Sequence, residues 1–254
     1  MKKLLVLLYG ITNYNLGSAS LVYLIAFTFN LFVPFSIDSG EAGNVWQAAA
    51  VNLGLIILFG LQHSIMARPA FKKHLARYLP QAAERSTFML GSALVTFALC
   101  LLWQPMPEVL WQADNVTLHN VLLGIGLSGW AMVFYATFLI NHFDLFGLRQ
   151  VWLYFTDKEY THLPFKLNSL YRYVRHPIMT GIFIGIWFTP VMTVGHLLLA
   201  LGMSTYIIIG VYHEEKDLIH VFGERYLRYI RSTGKFVPSL LKSNRVDTRL
   251  STEV

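Results

Sequence analysis

The sequence predicts an all-α polytopic membrane bundle. About six transmembrane segments are expected, the last two forming a helical hairpin, with both termini cytoplasmic and an amphipathic helix near the C-terminus. Three observations predict this. Of 254 residues, 55% are hydrophobic and only 13% charged, about half the roughly 25% of a soluble domain. Mean hydropathy is +0.48. The cations, finally, are confined to alternate connections between apolar segments. Together these exclude disorder, collagen-like sequence and an ordinary cytosolic domain. The single Cys100 excludes an internal disulfide and a CxxC pair.

The apolar segments run over 17–36, 45–66, 86–103, 120–140, 177–194 and 197–212. About 20 residues at 1.5 Å each cross roughly 30 Å of hydrocarbon, which the first four satisfy. The last two, broken around Pro190 and Gly195, read as a tight hairpin with short arms. Lys2 and Lys3 before Leu4–Leu8 imitate a signal peptide, but the apolar pattern resumes through Leu21–Phe35. That is longer than a signal core needs and reads as a retained span.

Lys2 and Lys3 precede segment one. Arg68, Lys72, Lys73, Arg77 and Arg85 lie between segments two and three. Arg149, Lys158, Lys166, Arg172 and Arg175 lie between four and five, and the rest of the 20 Lys and Arg follow segment six. The other connections carry Asp38, Glu41, Glu108 and Asp114 instead. This is the positive-inside pattern and places both termini in the cytoplasm. The formal charge of +6 is therefore a topology signal rather than a nucleic-acid footprint. Anionic headgroups of the bilayer are the expected partner of the basic loops.

No internal repeat appears. One membrane domain is expected over 1–236, with a polar tail at 237–254. The connection 141–175 is long for a bundle, and Leu145–Phe155 within it reads as a short interfacial helix. Glu214–Arg231 reads as a helix with Leu218, Phe222 and Tyr226 on one face.

The chemistry gathers at the cytoplasmic mouth of the hairpin. Tyr171-Arg172-Tyr173-Val174-Arg175-His176-Pro177 enters it and Tyr212-His213-Glu214-Glu215-Lys216-Asp217-Leu218 leaves it. Pro177 suits a helix first turn. The residues before it sit at the positive end of the helix dipole, where Arg175 favours a carboxylate. Glu214 and Glu215 accept hydrogen bonds from ribose hydroxyls or an ammonium group. A zwitterionic nucleoside with a sulfonium centre matches that mixture. Taken singly, Arg175 also reads as a snorkelling anchor and the Glu pair as a solvated helix start.

Arg175-His176-Pro177, then Gly181, then Glu214-Glu215-x-x-Leu218-Ile219-x-x-Phe222-Gly223-x-x-Tyr226 resembles the signature of the isoprenylcysteine carboxyl methyltransferase group of membrane enzymes. Four further stretches are similar to a narrower branch, the bacterial methanethiol S-methyltransferases grouped with nurim-like proteins. They are Ser36–Gly40, Gln62–Pro69, Glu84–Thr87 and Asn141–Gln150. Met179 stands where the wider group often has an aromatic residue, which favours the narrower branch and argues against a prenylated protein substrate.

The resemblance implies S-adenosyl-L-methionine as cofactor and methanethiol as substrate, giving dimethyl sulfide at a bacterial inner membrane with the site facing the cytoplasm. It implies a cofactor site built from Tyr173, Arg175, His176, Pro177, Tyr212, Glu214, Glu215, Leu218, Phe222 and Tyr226. Methyl transfer needs the thiolate about 3–3.5 Å from the methyl carbon. A sulfonium at about 3.5 Å attracts a thiolate by roughly 5 kcal/mol at an effective dielectric near 20, enough to lower the thiol pKa by about three units. A strong base is then unnecessary, although a histidine can take the proton. His142, oriented by Asp144, is the first candidate, and His63 beside Gln62 the second. Gln62, Asn141, Arg149 and Gln150 would line the pocket, with Arg149 and Gln150 closing it or binding the cofactor carboxylate. His142–Asp144 reads equally as a structural pair, and Gln62–His63 as a polar bridge between helices. The expected acceptor site is a small buried cavity rather than a wide lateral groove.

Other readings stay open: a larger thiol, lipid or prenyl-cysteine acceptor; a non-enzymatic nurim-like scaffold; or a haem protein using His63, His142, His176 and His213. No cluster has metal-ligand spacing, so no metal is expected. Oligomeric state is not legible in the sequence.

Overall fold

The computed structural model describes residues 1–161 and 168–239. The expected tail therefore lies, from residue 240 on, outside the described residues, as does Lys166. The described chain is mainly helical: α1 (Lys2–Thr28), α2 (Val45–Ala67), α3 (Pro69–Leu75), α4 (Glu84–Leu102), α5 (Val116–Ile140), α6 (His142–Leu145), α7 (Leu148–Phe155), α8 (Pro177–Trp187), α9 (Val194–Phe222) and α10 (Glu224–Ser232). Two short strands, β1 (Val109–Gln112) and β2 (Val191–Thr193), pair antiparallel. Four helices, α2, α4 (with the turn before it), α5 and α9, are long and apolar enough to cross a membrane.

Six helices close into a ring. α1 packs on α4, α4 on α2, α2 on α9, α9 on α8 and α8 on α5. Tyr14 of α1 closes the circle by bonding His142 at the end of α5. The core fills with Phe27, Leu55, Ile56, Leu99, Trp130, Ile186 and Leu199, drawn from all six helices. The tightest seam joins α5 to α8. A Cβ on Gly129 would lie 2.6 Å from the Gly181 carbonyl oxygen, and one on Gly181 2.5 Å from that of Gly129. The two backbones touch, which is how small residues let apolar helices associate.

Every described Lys and Arg lies at one end of the ring, with the ends of α1, α2, α4, α5, α8 and α9 that their connections join. The far end holds β1–β2, the Asp38–Thr193 hydrogen bond (2.6 Å) and the Asn52–Gln104 pair (2.8 Å in both directions).

Several boundaries differ from the sequence reading. α1 begins at Lys2 rather than near residue 17 and ends at Thr28, because Asn13, Tyr14, Asn15 and Ser18 interrupt the apolar run without breaking the helix. α8 stops at Trp187 after 11 residues. At 1.5 Å per residue it rises about 16 Å, and the chain completes that arm as extended backbone leading to β2. Backbone groups there need partners in an apolar setting. Ala113 N–H donates to Pro190 O (2.9 Å), and buried His196 donates from Nε2 to Ile186 O at 2.8 Å. The interfacial helix divides into α6 and α7. The sixth segment is not a short arm followed by a separate helix from Glu214: α9 runs unbroken over 29 residues to Phe222, and α10 starts after Gly223, whose φ of +55° and ψ of −133° only glycine adopts readily.

Candidate active site

The hairpin brings the two signature stretches together at the basic end. Pro177 occupies the first turn of α8, where its missing N–H costs nothing. Arg175 and His176 precede it, and the last turns of α9 carry Glu214 and Glu215. Arg175 Nε donates to Glu215 Oε1 at 2.8 Å, and His176 Nε2 lies 3.2 Å from the same oxygen. Lys235 Nζ reaches Glu215 Oε2 at 2.8 Å. Glu215 therefore meets three partners on two oxygens, with its side chain 11% exposed and that of Arg175 6%.

Arg175 is also spent on the chain itself. Its Nη1 donates to the carbonyls of Ile230 and Thr233. These bonds staple the end of α10 and the segment after it to the entry of α8. Arg175 N–H donates to Gly234 O (2.8 Å), His176 N–H to Lys235 O (3.2 Å) and Thr180 Oγ1 to Phe236 O (2.8 Å). Lys235 and this returning segment were missed in the sequence. Ser232–Phe236 shows no helical period, and its one legible signal is Gly234 just past the end of α10.

Glu214 is the outward member of the acidic pair. Its side chain is 51% exposed and sits 3.5 Å from His176 Nδ1. The Tyr171 hydroxyl is buried with no hydrogen-bond partner. Burial, with Glu214 nearby, pushes that hydroxyl above its ordinary pKa. Burial likewise lowers the His176 imidazole against the pull of Glu215, so it is neutral at pH 7. Tyr173 and Tyr212 are half exposed, and Lys216 lies over the Tyr212 ring. Tyr226 is buried and packs with Tyr229 against Leu218 and Phe222. Those three signature residues hold α10 in place.

His142 and Asp144 are brought near one another but do not pair. His142 is buried between the rings of Phe138 and Phe146, at 4.2 and 4.5 Å. Thr137 Oγ1 gives its only proton to Phe134 O (2.7 Å) and lies 2.8 Å from His142 Nδ1. Nδ1 therefore carries the imidazole proton and donates it to Thr137. The Nε2 lone pair accepts from the Tyr14 hydroxyl at 3.0 Å. Desolvation holds the ring below its usual pKa. Asp144 instead accepts from Arg149 (2.8 Å) and Tyr160 (3.2 Å), while Asn141 Oδ1 caps α6 by accepting from the Asp144 N–H. Gln150 Nε2 donates to Asp144 O (2.9 Å). His63 hydrogen-bonds through Nδ1 to Phe59 O at 3.2 Å, with Phe59, Phe88 and Tyr206 around its ring. Gln62 Nε2 reaches Met66 Sδ, and its Oε1 is buried without a partner.

Three spaces matter for chemistry. A void of about 20 Å³ lies on the ring axis, lined by Thr28, Phe59, Trp130, Ile182 and Met203 among others. A polar cavity of about 860 Å³ opens at the basic end between α4, α6 and α7, touching Arg85, Asp144 and Gln150. An apolar groove of about 460 Å³ runs over Leu7, Ile11, Phe143, Leu148 and Trp152. Buried cavity and lateral groove are thus both present, where the sequence reading expected the cavity alone.

Comparison with known proteins places this architecture. Over 98% of its length the chain is 43% identical to methanethiol S-methyltransferase 2 of Bradyrhizobium diazoefficiens, covering 96% of that protein. It is 41% identical to the methanethiol S-methyltransferase of Crocosphaera subtropica, over 96% of each chain. Nurim from Xenopus laevis is 26% identical over 72% of this chain and 63% of its own. No family model and no solved structure matches. The chain belongs to the methanethiol S-methyltransferase family, and its role is that of a methyltransferase.

Proposed function

We propose that the protein is an integral membrane enzyme that methylates methanethiol to dimethyl sulfide with S-adenosyl-L-methionine as donor. The observation that carries this reading is identity above 40% to two relatives of that name across nearly their whole length. The donor supplies a sulfonium-bound methyl group. The residues at the basic end fit such a molecule: Glu214 presents a half-exposed carboxylate for ribose hydroxyls, and the buried Tyr171 hydroxyl lacks a partner beside it. Arg175, His176 and Glu215 hold that wall rigid, and Tyr173 and Tyr212 flank it. His142, reached through the Tyr14 hydroxyl, serves as the proton acceptor, and His63 is the alternative. The void on the ring axis has room for about one small molecule, since roughly 10–15 Å³ of such volume holds a water. The basic end faces the cytoplasm of a bacterial cell, where its lysines and arginines meet anionic headgroups.

Purified protein given methanethiol and donor should release dimethyl sulfide into the headspace, and Glu215→Ala and His176→Ala should release little. No product from the unaltered protein would overturn the reading. The 460 Å³ groove favours a second one, a larger apolar thiol or prenyl-cysteine. Faster turnover of a long-chain thiol than of methanethiol would establish it.

A further inference from the structure

One stripe of α9 leads from the bundle core to the basic end. Leu199, Met203, Tyr206, Gly210 and Glu214 recur at i, i+4, i+7, i+11 and i+15, which is a single helix face. Cover is lost along it. Leu199 and Met203 are buried and line the axial void, Tyr206 and Gly210 are partly covered, and Glu214 is exposed. A Cβ on Gly210 would meet nothing within 4 Å, so the face is notched between Tyr206 and Glu214.

Tyr206 closes the inner end of that notch. Its ring stands edge-on to Phe59, 5.7 Å between centroids, and to His63 at 6.2 Å. A Cβ on Gly60 of α2 would lie 3.0 Å from the same ring, so the glycine is what lets the ring lie against α2. Phe59 in turn lines the void. The Tyr206 hydroxyl has no hydrogen-bond partner among the described residues. Ring contacts hold the side chain, and it can turn without breaking a hydrogen bond.

The void behind Tyr206 selects its guest by chemistry. Thr28 and Thr96 give their hydroxyl protons to Ile25 O (2.9 Å) and Ser92 O (2.7 Å) on their own helices. Trp130 Nε1 is turned to Gly185, where a Cβ would lie 2.5 Å from it. The rest of the lining is hydrocarbon, ring or thioether. A water there would lack the about two to four polar partners it needs. A compact apolar sulfur compound needs none, and its sulfur gains contact with the rings of Phe59 and Trp130. At about 20 Å³ the void admits a few heavy atoms and not a chain.

We propose that Tyr206 is a specificity-determining residue for the acceptor. With Phe59 it forms the gate between the Gly210 notch and the axial void, and gate and void together hold the acceptor to a thiol of one or two carbons. The inference rests on the methanethiol reading above and names what limits that acceptor's size.

The test uses the full chain in lipid nanodiscs with S-adenosyl-L-methionine and, in turn, methanethiol, ethanethiol and 1-propanethiol, the thioether product being measured in the headspace. In the unaltered protein kcat/KM should fall by about 10-fold or more per added methylene, as a tight apolar pocket imposes. Tyr206→Ala should raise the propanethiol-to-methanethiol ratio by about 10-fold or more, while affinity for S-adenosylhomocysteine, by calorimetry, stays within about twofold. Tyr206→Phe keeps the ring and should keep the native ratio. Met203→Ala, which widens the void from the same helix face, should raise the ratio too, and it replaces Tyr206→Ala if that variant does not fold. An unaltered protein that takes propanethiol as fast as methanethiol overturns the proposal without any variant. So does a ratio left unmoved by Tyr206→Ala, or by Met203→Ala where it stands in, and so does a ratio raised by Tyr206→Phe. Loss of S-adenosylhomocysteine affinity in Tyr206→Ala at an unchanged ratio puts the residue on the donor side and overturns it equally. If the unaltered protein methylates none of the three thiols, the methanethiol reading itself falls.

Discussion

Glu215 stands 40 positions after Arg175, yet its Oε1 lies 2.8 Å from Arg175 Nε while Lys235 holds its other oxygen. One carboxylate thus joins the entry of α8, the exit of α9 and the segment beyond α10. Removing it strands two cations, one of them buried. Breaking one side of a buried pair costs about 3–5 kcal/mol. Glu215→Ala should therefore lower the thermal unfolding temperature sharply, whereas Glu214→Ala, at the half-exposed neighbour, should leave it nearly unchanged. Thermal unfolding in detergent checks both.

The two neutral histidines give stability a pH dependence. His142 and His176 are both held below the ordinary imidazole value by burial. Their contribution is complete above the unfolded value of about 6.5. It is lost as pH falls from there through the depressed folded values, because the unfolded chain takes up protons first. Unfolding temperature should therefore decline between pH 7 and 5, and His142→Gln should flatten that decline. A steeper decline in the variant would contradict the assignment.

Tyr14 offers a sharper test of the proton acceptor. Tyr14→Phe removes the donor to His142 Nε2 but keeps the ring. If His142 accepts the substrate proton through this hydroxyl, the thiol methylation rate should fall by about 10²-fold in Tyr14→Phe and by 10²–10⁴-fold in His142→Ala. The loss should shrink toward pH 9, where the thiol ionises unaided. Rates unchanged across pH 6–9 would remove His142 from that role.

The α5–α8 seam gives a stability test remote from the site. Gly129→Val forces side-chain atoms into the Gly181 carbonyl. Overpacking of this kind costs typically about 1–3 kcal/mol, more where backbone must move. Unfolding temperature should drop, and Gly54→Ala, with open space around it, should serve as a neutral control.

The long apolar helices α2, α4, α5 and α9 were legible because composition and length alone define them. Arg175, His176 and the Glu pair were legible because a hairpin must bring its own ends together. Less was legible where the partner lies far along the chain. Lys235 meets Glu215 through a returning segment with no periodic pattern. Tyr14 meets His142 across 128 positions, and a tyrosine inside an apolar helix looks like any packing residue. The sequence reading ran the fifth segment on to residue 194, although Pro190 disfavours helix at the residue before it, and α8 ends at Trp187.

At the far end, β1 is zipped to β2, Asp38 is pinned to Thr193 and Asn52 is locked onto Gln104. Each of the three connections there is tied to another part of the bundle. On the reading proposed above, a bulky, charged donor would therefore enter at the opposite rim, where the 860 Å³ cavity opens.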